Sequence, residues 1–429
     1  MSILKKKIRN KKLVVGIIGL GYVGLPLAKS FSFKNILTYG FDIDKRKVNA
    51  LNKGKSYINY FSQNIIKKML KLKFKAYSNF EKISEVDIII LCLPTPLKKN
   101  SKTPEMSYIN DTFKSIKPFL RKNQLISLES TTYPGTCEDI FLPYLKKKFE
   151  LGENFFMVYS PEREDPGNKK YNIHNVPKIL GGSTKECRNV GEKVYSLICK
   201  KIIKVSSLRA AELVKILENV YRSVNISLVN ELKLLAIKMK IDIFEIINSA
   251  KTKPFGYQAF YPGPGYGGHC IPIDPFLLSW KAKKLNFDTK FIKLSGQINT
   301  KITNFVIKNI IKNLENNFSK KILFLGAAYK KDIDDYRESP ALKIFNFFIK
   351  KKIKFDFYDP FVKVISSNRE KLFIKRKNNY KNILKNYDLV VILTDHTMLD
   401  YSFIQKKSNK IIDTRGVYKI YKFSNVISC

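Results

Sequence analysis

Residues 261–275 read YPGPGYGGHCIPIDP, with four glycines and four prolines around Cys270, one of only six cysteines in the chain. A buried structural cysteine calls for apolar neighbours. This one follows Gly267 and Gly268, and glycine serves where a backbone bends sharply or lets a ligand come close. Taken alone, the stretch reads equally as a tight structural loop or as the seat of a reactive thiol. A second pair of chemically able residues, Lys215 and Asn219, stands four apart in RAAELVKILENVYRSVNISLVNELKLLAIKMKI. Four residues apart on a helix is one face. Such a pair is either solvated or aimed at chemistry.

That run, from Arg209 on, has no glycine or proline and repeats Leu213, Leu217, Val220, Val224 and Leu228 at helical spacing. It predicts one long helix joining two α/β halves. Ahead of it, LVVGIIGLGYVG predicts a buried strand entering the turn Gly19-Leu20-Gly21-Tyr22-Val23-Gly24 and then a helix through Ala28 and Phe31. Glycines at this spacing allow a tight turn, approach of a pyrophosphate to backbone N–H groups, and close packing of helix on strand. Alone they could serve only the turn. However, a second strand, ILTYGFDID, ends on Asp42, eighteen residues past Gly24. A carboxylate there accepts from the adenosine ribose and favours NAD, while Lys45 and Arg46 leave NADP open.

Further strands end in polar residues: VDIIILCLPTP at Pro94-Thr95, QLISLESTTYPGT at Glu129-Ser130-Thr131, and FFMVYSPEREDPG at Glu162, Arg163 and Asp165. In a parallel sheet ligands sit beyond the carboxyl ends of strands, so these residues should converge on one crevice, although Thr131 before Pro134-Gly135 could also cap a helix. The last third repeats the theme in KKILFLGAAYKKDIDDYRESPALKIFNFFI, IKFDFYDP, NYDLVVILTDH and KIIDTRG. Gly326 heads a turn without the full glycine fingerprint, and Lys330, Lys331 and Arg337 suit a nucleotide diphosphate. The fold expected is α/β, with two Rossmann-like doubly wound domains joined by the long helix.

With 429 residues and 44% hydrophobic composition, the chain is long enough for two or three domains. The formal charge of +43 comes mostly from lysine spread end to end, as in KKKIRNKK and IKKKIKFDF, with no basic element beside a nucleic-acid module. It reads as compositional bias, and no nucleic-acid partner is expected. Such a field still draws an anionic substrate. No cysteines form CxxC pairs and only His174, His269 and His396 could join them, which argues against a metal site and a disulfide framework and for a reducing cytoplasm. The basic start followed by LVVGIIGLGYVGLPLA imitates a signal peptide, but that apolar run is sixteen residues with four glycines and a proline. No stretch reaches membrane-spanning length, so no membrane association is expected.

Together GIIGLGYVGLPLA, LPTP, ESTTYPGT, SPER, AAELVKILENVYRSVNISLVNEL, GYGGHCIPIDP and GAAYKKDIDDYRESPA resemble the UDP-glucose/GDP-mannose dehydrogenase family over nearly the whole chain. YPGPGYGGHCIPIDPFLLSWKAK with SPEREDPGN looks most like its UDP-N-acetylglucosamine 6-dehydrogenase branch. The resemblance implies oxidation of a sugar-nucleotide primary alcohol to a carboxylate in two NAD-dependent steps, for surface polysaccharide such as O-antigen. Cys270 matches the nucleophile that holds the aldehyde as a thiohemiacetal and then a thioester. Lys215 and Asn219 match the pair stabilising the reacting oxygen, and Asp274 a carboxylate that activates water. Thr131 and Glu162 match residues orienting water and acting as general base. NAD contacts are expected from Gly19, Gly21, Tyr22, Val23, Gly24, Asp42, Pro94, Thr95 and Thr131. UDP-sugar contacts are expected from Glu162, Arg163, Lys215, Asn219, Gly267, Lys330, Arg337 and Arg415.

The resemblance also implies an NAD-binding domain over 1–206, a central helical region with the cysteine loop that forms a homodimer over 207–305, and a UDP-sugar domain over 306–429. Ala and Tyr in Gly326-Ala327-Ala328-Tyr329-Lys330 stand where Leu or Met and Phe are usual, and His269 has no catalytic role assigned. UDP-glucose, UDP-N-acetylmannosamine and GDP-mannose are the alternative substrates. A non-catalytic nucleotide or nucleic-acid binding module is the alternative of another class.

Overall fold

The computed structural model describes residues 3–58, 61–98, 101–163, 173–268, 270–315, 317–367, 372–418 and 423–429. The chain divides into two units, one of Met1–Glu218 with Trp280–Asn286, the other of Asn219–Ser279 with Phe287–Cys429. Asp165 and His269 lie outside the described residues.

The first unit is built on β1 (Val14–Ile18), β2 (Leu37–Phe41), β3 (Lys75–Tyr77), β4 (Ile88–Leu91), β5 (Gln124–Leu128), β6 (Phe155–Tyr159), β7 (Lys178–Gly182) and β8 (Ile202–Lys204). Their order is β3-β2-β1-β4-β5-β6-β7-β8. The first six are parallel, β7 runs antiparallel to β6, and β8 parallel to β7. Order 3-2-1-4-5-6 is that of a dinucleotide fold, with its switch point between β1 and β4. Neighbouring residues on the central strands point into opposite cores. Val15, Ile17, Ile88 and Ile90 face one, and Ile18, Ile89, Leu91 and Ile126 the other. Helices cover both faces, so these strands read as unbroken Ile and Val runs rather than alternating ones.

The second unit carries β9 (Ile322–Leu325), β10 (Phe355–Tyr358), β13 (Leu389–Ile392), β14 (Ile411–Asp413) and β15 (Val426–Ser428) in the parallel order β10-β9-β13-β14-β15. A separate antiparallel hairpin joins β11 (Val364–Ser367) and β12 (Leu372–Lys375). Its first turn repeats that of the first unit. Gly19 N donates to Phe41 O and Gly326 N to Tyr358 O, each at 2.8 Å. Both glycines hold φ near +90°, at 92° and 90°, the left-handed region that side chains avoid. Leu20 N donates to Asp42 and Ala327 N to Asp359. Both halves are Rossmann-like, as expected.

The helix Leu208–Met239 runs 32 residues without a break. Its faces are inverted relative to a surface helix. Glu212, Lys215, Asn219, Ser223, Asn230 and Lys233 are buried, while Leu213, Leu217, Tyr221, Leu228, Leu235 and Met239 are exposed. Three of the leucines whose spacing announces the helix therefore lie outside the core. Among the described residues no helix is long and apolar enough to cross a membrane.

Candidate active site

The three glycines of the first turn are not equivalent. A Cβ on Gly19 would lie 2.3 Å from the Cys92 carbonyl oxygen, and one on Gly24 would lie 1.9 Å from that of Gly19. Gly21 between them has nothing within 4 Å of a would-be Cβ. The first and third glycines are consumed by the fold. The second is bare toward open space, which is what a pyrophosphate lying on the backbone requires. Tyr22 and Val23 lead into the helix Gly24–Ser32, whose N-terminal N–H groups face the same turn. Asp42 accepts from Leu20 N at 3.0 Å, Asp44 N at 2.9 Å and Lys47 Nζ at 3.1 Å. Arg46 is forked onto Asp44 instead. These residues fit a dinucleotide.

The corresponding acid of the second unit is closed off. Asp359 and His396 are both fully buried. His396 Nδ1 accepts from Asp332 N at 3.0 Å, so its proton is on Nε2 and is donated to Asp359 at 2.9 Å. The following helix starts only at Pro340, after the loop holding Lys330, Lys331 and Arg337. Among the described residues, the open glycine turn that suits a dinucleotide is found in the first unit, while the matching acid of the second is taken up by a histidine.

Beyond the carboxyl ends of β4 and β5 the chain is cross-linked. Thr95 Oγ1 donates to Thr131 O at 2.6 Å, and Leu93 N to Ser130 Oγ at 2.8 Å. Pro94 is exposed; Thr131, Glu162 and Arg163 are half-buried. Arg163 pairs with Glu218 at 2.6 Å. The sequence reading passed over Thr132, whose buried hydroxyl has no hydrogen-bond partner among the described residues. An orphaned buried hydroxyl marks a place where water or substrate completes the bonding. Its neighbour Thr131 masked it, because two adjacent threonines look alike in sequence.

On the long helix Lys215 is buried, 8% exposed, and has neither a hydrogen bond nor an ion pair among the described residues. The solvated reading of Lys215 and Asn219 fails on burial. A buried ammonium without a partner is costly unless an anion arrives. One turn earlier Glu212 holds this helix to the ESTTYPGT loop, accepting from Gly135 N at 2.5 Å and Cys137 N at 2.9 Å. Burial pushes the Glu212 carboxyl up to about 7 against the lowering by those N–H groups.

In the second unit the thiol loop is held from outside. Gly263 N donates to Asn230 Oδ1 at 3.0 Å, Tyr266 N to Asn299 Oδ1 at 2.7 Å, and Thr303 Oγ1 to Pro264 O at 2.9 Å. A glycine–proline loop has few ways to bond to itself, so polar side chains of neighbouring helices satisfy its backbone. This is one reason the buried face of the long helix is polar. A Cβ on Gly267 would meet Glu338 O at 2.8 Å, and Gly268, at φ +88°, lies against the Tyr329 ring. Gly268 N donates to Arg337 O at 3.0 Å. The structure thus joins the loop ahead of Cys270 to the segment bearing Tyr329, Lys330 and Arg337. The exposed Arg337 guanidinium itself is forked onto Asp335. Arg415 donates through Nε to Leu393 O at 2.7 Å, and its guanidinium stands 2.7 Å from a would-be Cβ on Gly263.

Cys270 is partly exposed. Its carbonyl accepts from Ile273 N at 3.0 Å and Asp274 N at 2.8 Å, the turn that opens the helix Asp274–Lys283. Asp274 and Asn219 are both buried, with Asn219 Nδ2 donating to Asp274 Oδ2 at 2.6 Å. Arg222 donates to Asn219 Oδ1 at 2.9 Å, which fixes the amide's orientation. The nucleophile candidate, the carboxylate and the amide are thereby one connected set. None of the six cysteines is in a disulfide.

A dinucleotide turn on one sheet, a second nucleotide-type unit, and a thiol loop wired to a carboxylate and an amide define an NAD-dependent dehydrogenase with a second nucleotide to hold. The chain belongs to the UDP-glucose/GDP-mannose dehydrogenase family: that family's NAD binding domain matches residues 13–199, its central domain 209–301 and its UDP binding domain 323–420. It is an NAD-dependent oxidoreductase of nucleotide sugars. Over 389 residues it is 31% identical to the UDP-N-acetyl-D-glucosamine 6-dehydrogenase of Salmonella typhi, with 89% of each chain covered. Over 425 residues it is 32% identical to the UDP-N-acetyl-D-mannosamine dehydrogenase of Campylobacter jejuni, covering 93% of this chain and 98% of that one. The solved UDP-D-ManNAc dehydrogenase from Pyrococcus horikoshii superposes with a TM-score of 0.86 at 30% identity, covering 97% of this chain and 99% of that one.

Proposed function

We propose that the chain oxidises the 6-hydroxymethyl group of UDP-N-acetylglucosamine to the carboxylate, in the cytoplasm, for surface polysaccharide such as O-antigen. The observation that carries the chemistry is the buried polar face of the long helix. It presents a buried Lys215 with no hydrogen bond or ion pair among the described residues, and an Asn219 already bonded to the carboxylate four residues past Cys270. Bound NAD would supply the hydride acceptor for each of the two oxidations. Glu162 takes the hydroxyl proton as the first hydride leaves the carbon. Cys270 Sγ then bonds to the aldehyde carbon, and the resulting oxyanion is met by the Lys215 ammonium and the second N–H of Asn219. Loss of the second hydride from that carbon leaves a thioester. Water, oriented by the threonines at 131 and 132 and activated by Asp274, adds to the carbonyl and expels the thiolate. Lys330, Arg337 and Arg415 neutralise the diphosphate, and Gly267 lets the sugar approach the loop.

UDP-N-acetylmannosamine is the second reading, because relatives named for that substrate match at the same level of identity. The branch-like stretch YPGPGYGGHCIPIDPFLLSWKAK favours the glucosamine form. Turnover of both sugars, UDP-glucose and GDP-mannose should be compared by NADH absorbance. UDP-N-acetylglucosamine should give the highest kcat/KM, with two NADH per uronate. Turnover of the mannosamine form alone would refute the substrate assignment and leave the chemistry standing.

The functional segments we assign are 1–206 for NAD, 207–305 for the thiol loop and self-association, and 306–429 for the UDP-sugar. The exposed stripe Leu213, Leu217, Tyr221, Leu228, Leu235 and Met239 supports a homodimer through the long helix. Sedimentation should give twice the chain mass of 49.7 kDa. A monomer at micromolar concentration would rule the dimer out.

A further inference from the structure

The long helix buries a second lysine, Lys233, which the sequence reading left without a role. Its side chain is completely buried, and its ammonium donates to Thr414 O at 2.9 Å across 181 residues of chain. Burying an ammonium is costly, and one backbone carbonyl offsets only part of that cost. A methionine would fill the same space without it, so the reason for a lysine lies in what it holds. Lys233 holds the turn that follows β14. Asp413 closes that turn, accepting from Arg415 N at 2.9 Å, Gly416 N at 3.0 Å and Tyr418 N at 2.9 Å. Gly416, at φ +68°, lies against the ring of Phe244, which a Cβ there would meet at 2.4 Å. The centroid of the same ring is 5.9 Å from Lys233 Nζ. The turn carries Arg415, whose Nε donates to Leu393 O at 2.7 Å and stands 4.0 Å from Asp395. Among the described residues no hydrogen bond reaches its two terminal nitrogens. The guanidinium is thus anchored at its root and open at its end, which suits capture of an anion.

Three residues before Lys233, on the same face of the helix, Asn230 accepts from Gly263 N at 3.0 Å. Arg415 Nη1 lies 2.7 Å from a would-be Cβ on that same Gly263. One stretch of helix therefore grips both sides of a single gap, the thiol loop through Asn230 and the arginine turn through Lys233. We propose that Lys233 is a positioning residue for the substrate's diphosphate: by fixing Thr414, it holds the Arg415 guanidinium at a set distance from the loop that leads to Cys270. This rests on the reading of Arg415 as a diphosphate contact. Lys233 itself touches no substrate, since it is wholly buried and its ammonium is bonded to a backbone carbonyl. The diphosphate is remote from the reacting carbon and is held alike in ground and transition states. A displaced Arg415 therefore weakens KM and leaves kcat nearly alone.

The test is steady-state kinetics of full-length variants, with the nucleotide sugar that gives the highest kcat/KM in the four-sugar comparison. Lys233→Met keeps the volume and removes the donor. KM for that sugar should rise about tenfold, while kcat and the KM for NAD stay within about twofold of wild type. A purely structural lysine gives the reverse, a lower melting temperature and less active enzyme with KM unmoved, and that result overturns the proposal. Added to Arg415→Gln, the same substitution should leave KM where Arg415→Gln alone puts it, because Lys233 acts only through that arginine. An equal rise in both backgrounds overturns the proposal. Arg415→Gln by itself separates the two levels, and should raise KM by about thirtyfold or more. A wild-type KM there overturns Arg415 as the diphosphate contact and the proposal with it. A raised KM there beside an unmoved one in Lys233→Met removes Lys233 alone. Should Lys233→Met not fold, Lys233→Gln, with a donor on a shorter arm, is held to the same criteria.

Discussion

Cys270→Ser should cut uronate formation by about a thousandfold or more while NAD binding stays at its wild-type level. A hydroxyl in place of the thiol is a far weaker nucleophile at neutral pH, because almost none of it is ionised. The substitution leaves the loop's geometry alone. The backbone of residue 270 supplies the carbonyl for Ile273 N and Asp274 N, and the side chain, partly exposed, is not a packing element of the core. In the proposed mechanism the first hydride transfer makes no demand on sulfur, so a small yield of the first NADH without uronate is the expected signature. Paired measurement of NADH and uronate distinguishes this from general damage, which lowers both together and weakens NAD binding too. Wild-type uronate production by the serine variant would remove Cys270 from the mechanism.

What the sequence made legible depended on how far apart the interacting residues lie along the chain. The turn at Gly19, the strand before it and Asp42 are close in sequence, and their strand–turn–helix context is a local pattern. The long helix was equally plain, since an interrupted helix would show glycine or proline. Which of its faces is buried was not. Leucine spacing marks the helix, but Leu213, Leu217 and Leu228 are exposed while Glu212, Asn219 and Lys233 are buried. Periodicity reports that a face is apolar and is silent on whether a core or another molecule covers it. Glu129 pairs with Lys178 from 49 residues away, and Asn230 holds Gly263 from 33 residues away. Those partnerships exist only once the strands and the loop are placed. The short strands β7 and β8 and the hairpin of β11 with β12 likewise lack a run long enough to announce them.

The glycines of the first turn should separate folding from cofactor binding when substituted one at a time. Gly24→Ala places a methyl where the Gly19 carbonyl oxygen already stands, 1.9 Å away, with Ile17 Cγ2 at 3.1 Å. The Gly19 backbone has no room to yield, so loss of about 3 kcal/mol or more in stability is expected, and NAD binding falls because the unit no longer folds. Gly21→Val adds a larger side chain at a position with nothing within 4 Å, so the protein alone should tolerate it and its melting temperature should hold. A valine there still fills the space that a pyrophosphate needs to reach the backbone N–H groups. The Kd for NAD should therefore rise about a hundredfold in a protein that is otherwise intact. Titration of NAD against each variant, alongside a thermal melt, reads both quantities. Tight NAD binding by Gly21→Val would mean that the dinucleotide lies elsewhere, because among the described residues a Cβ at that position meets nothing within 4 Å.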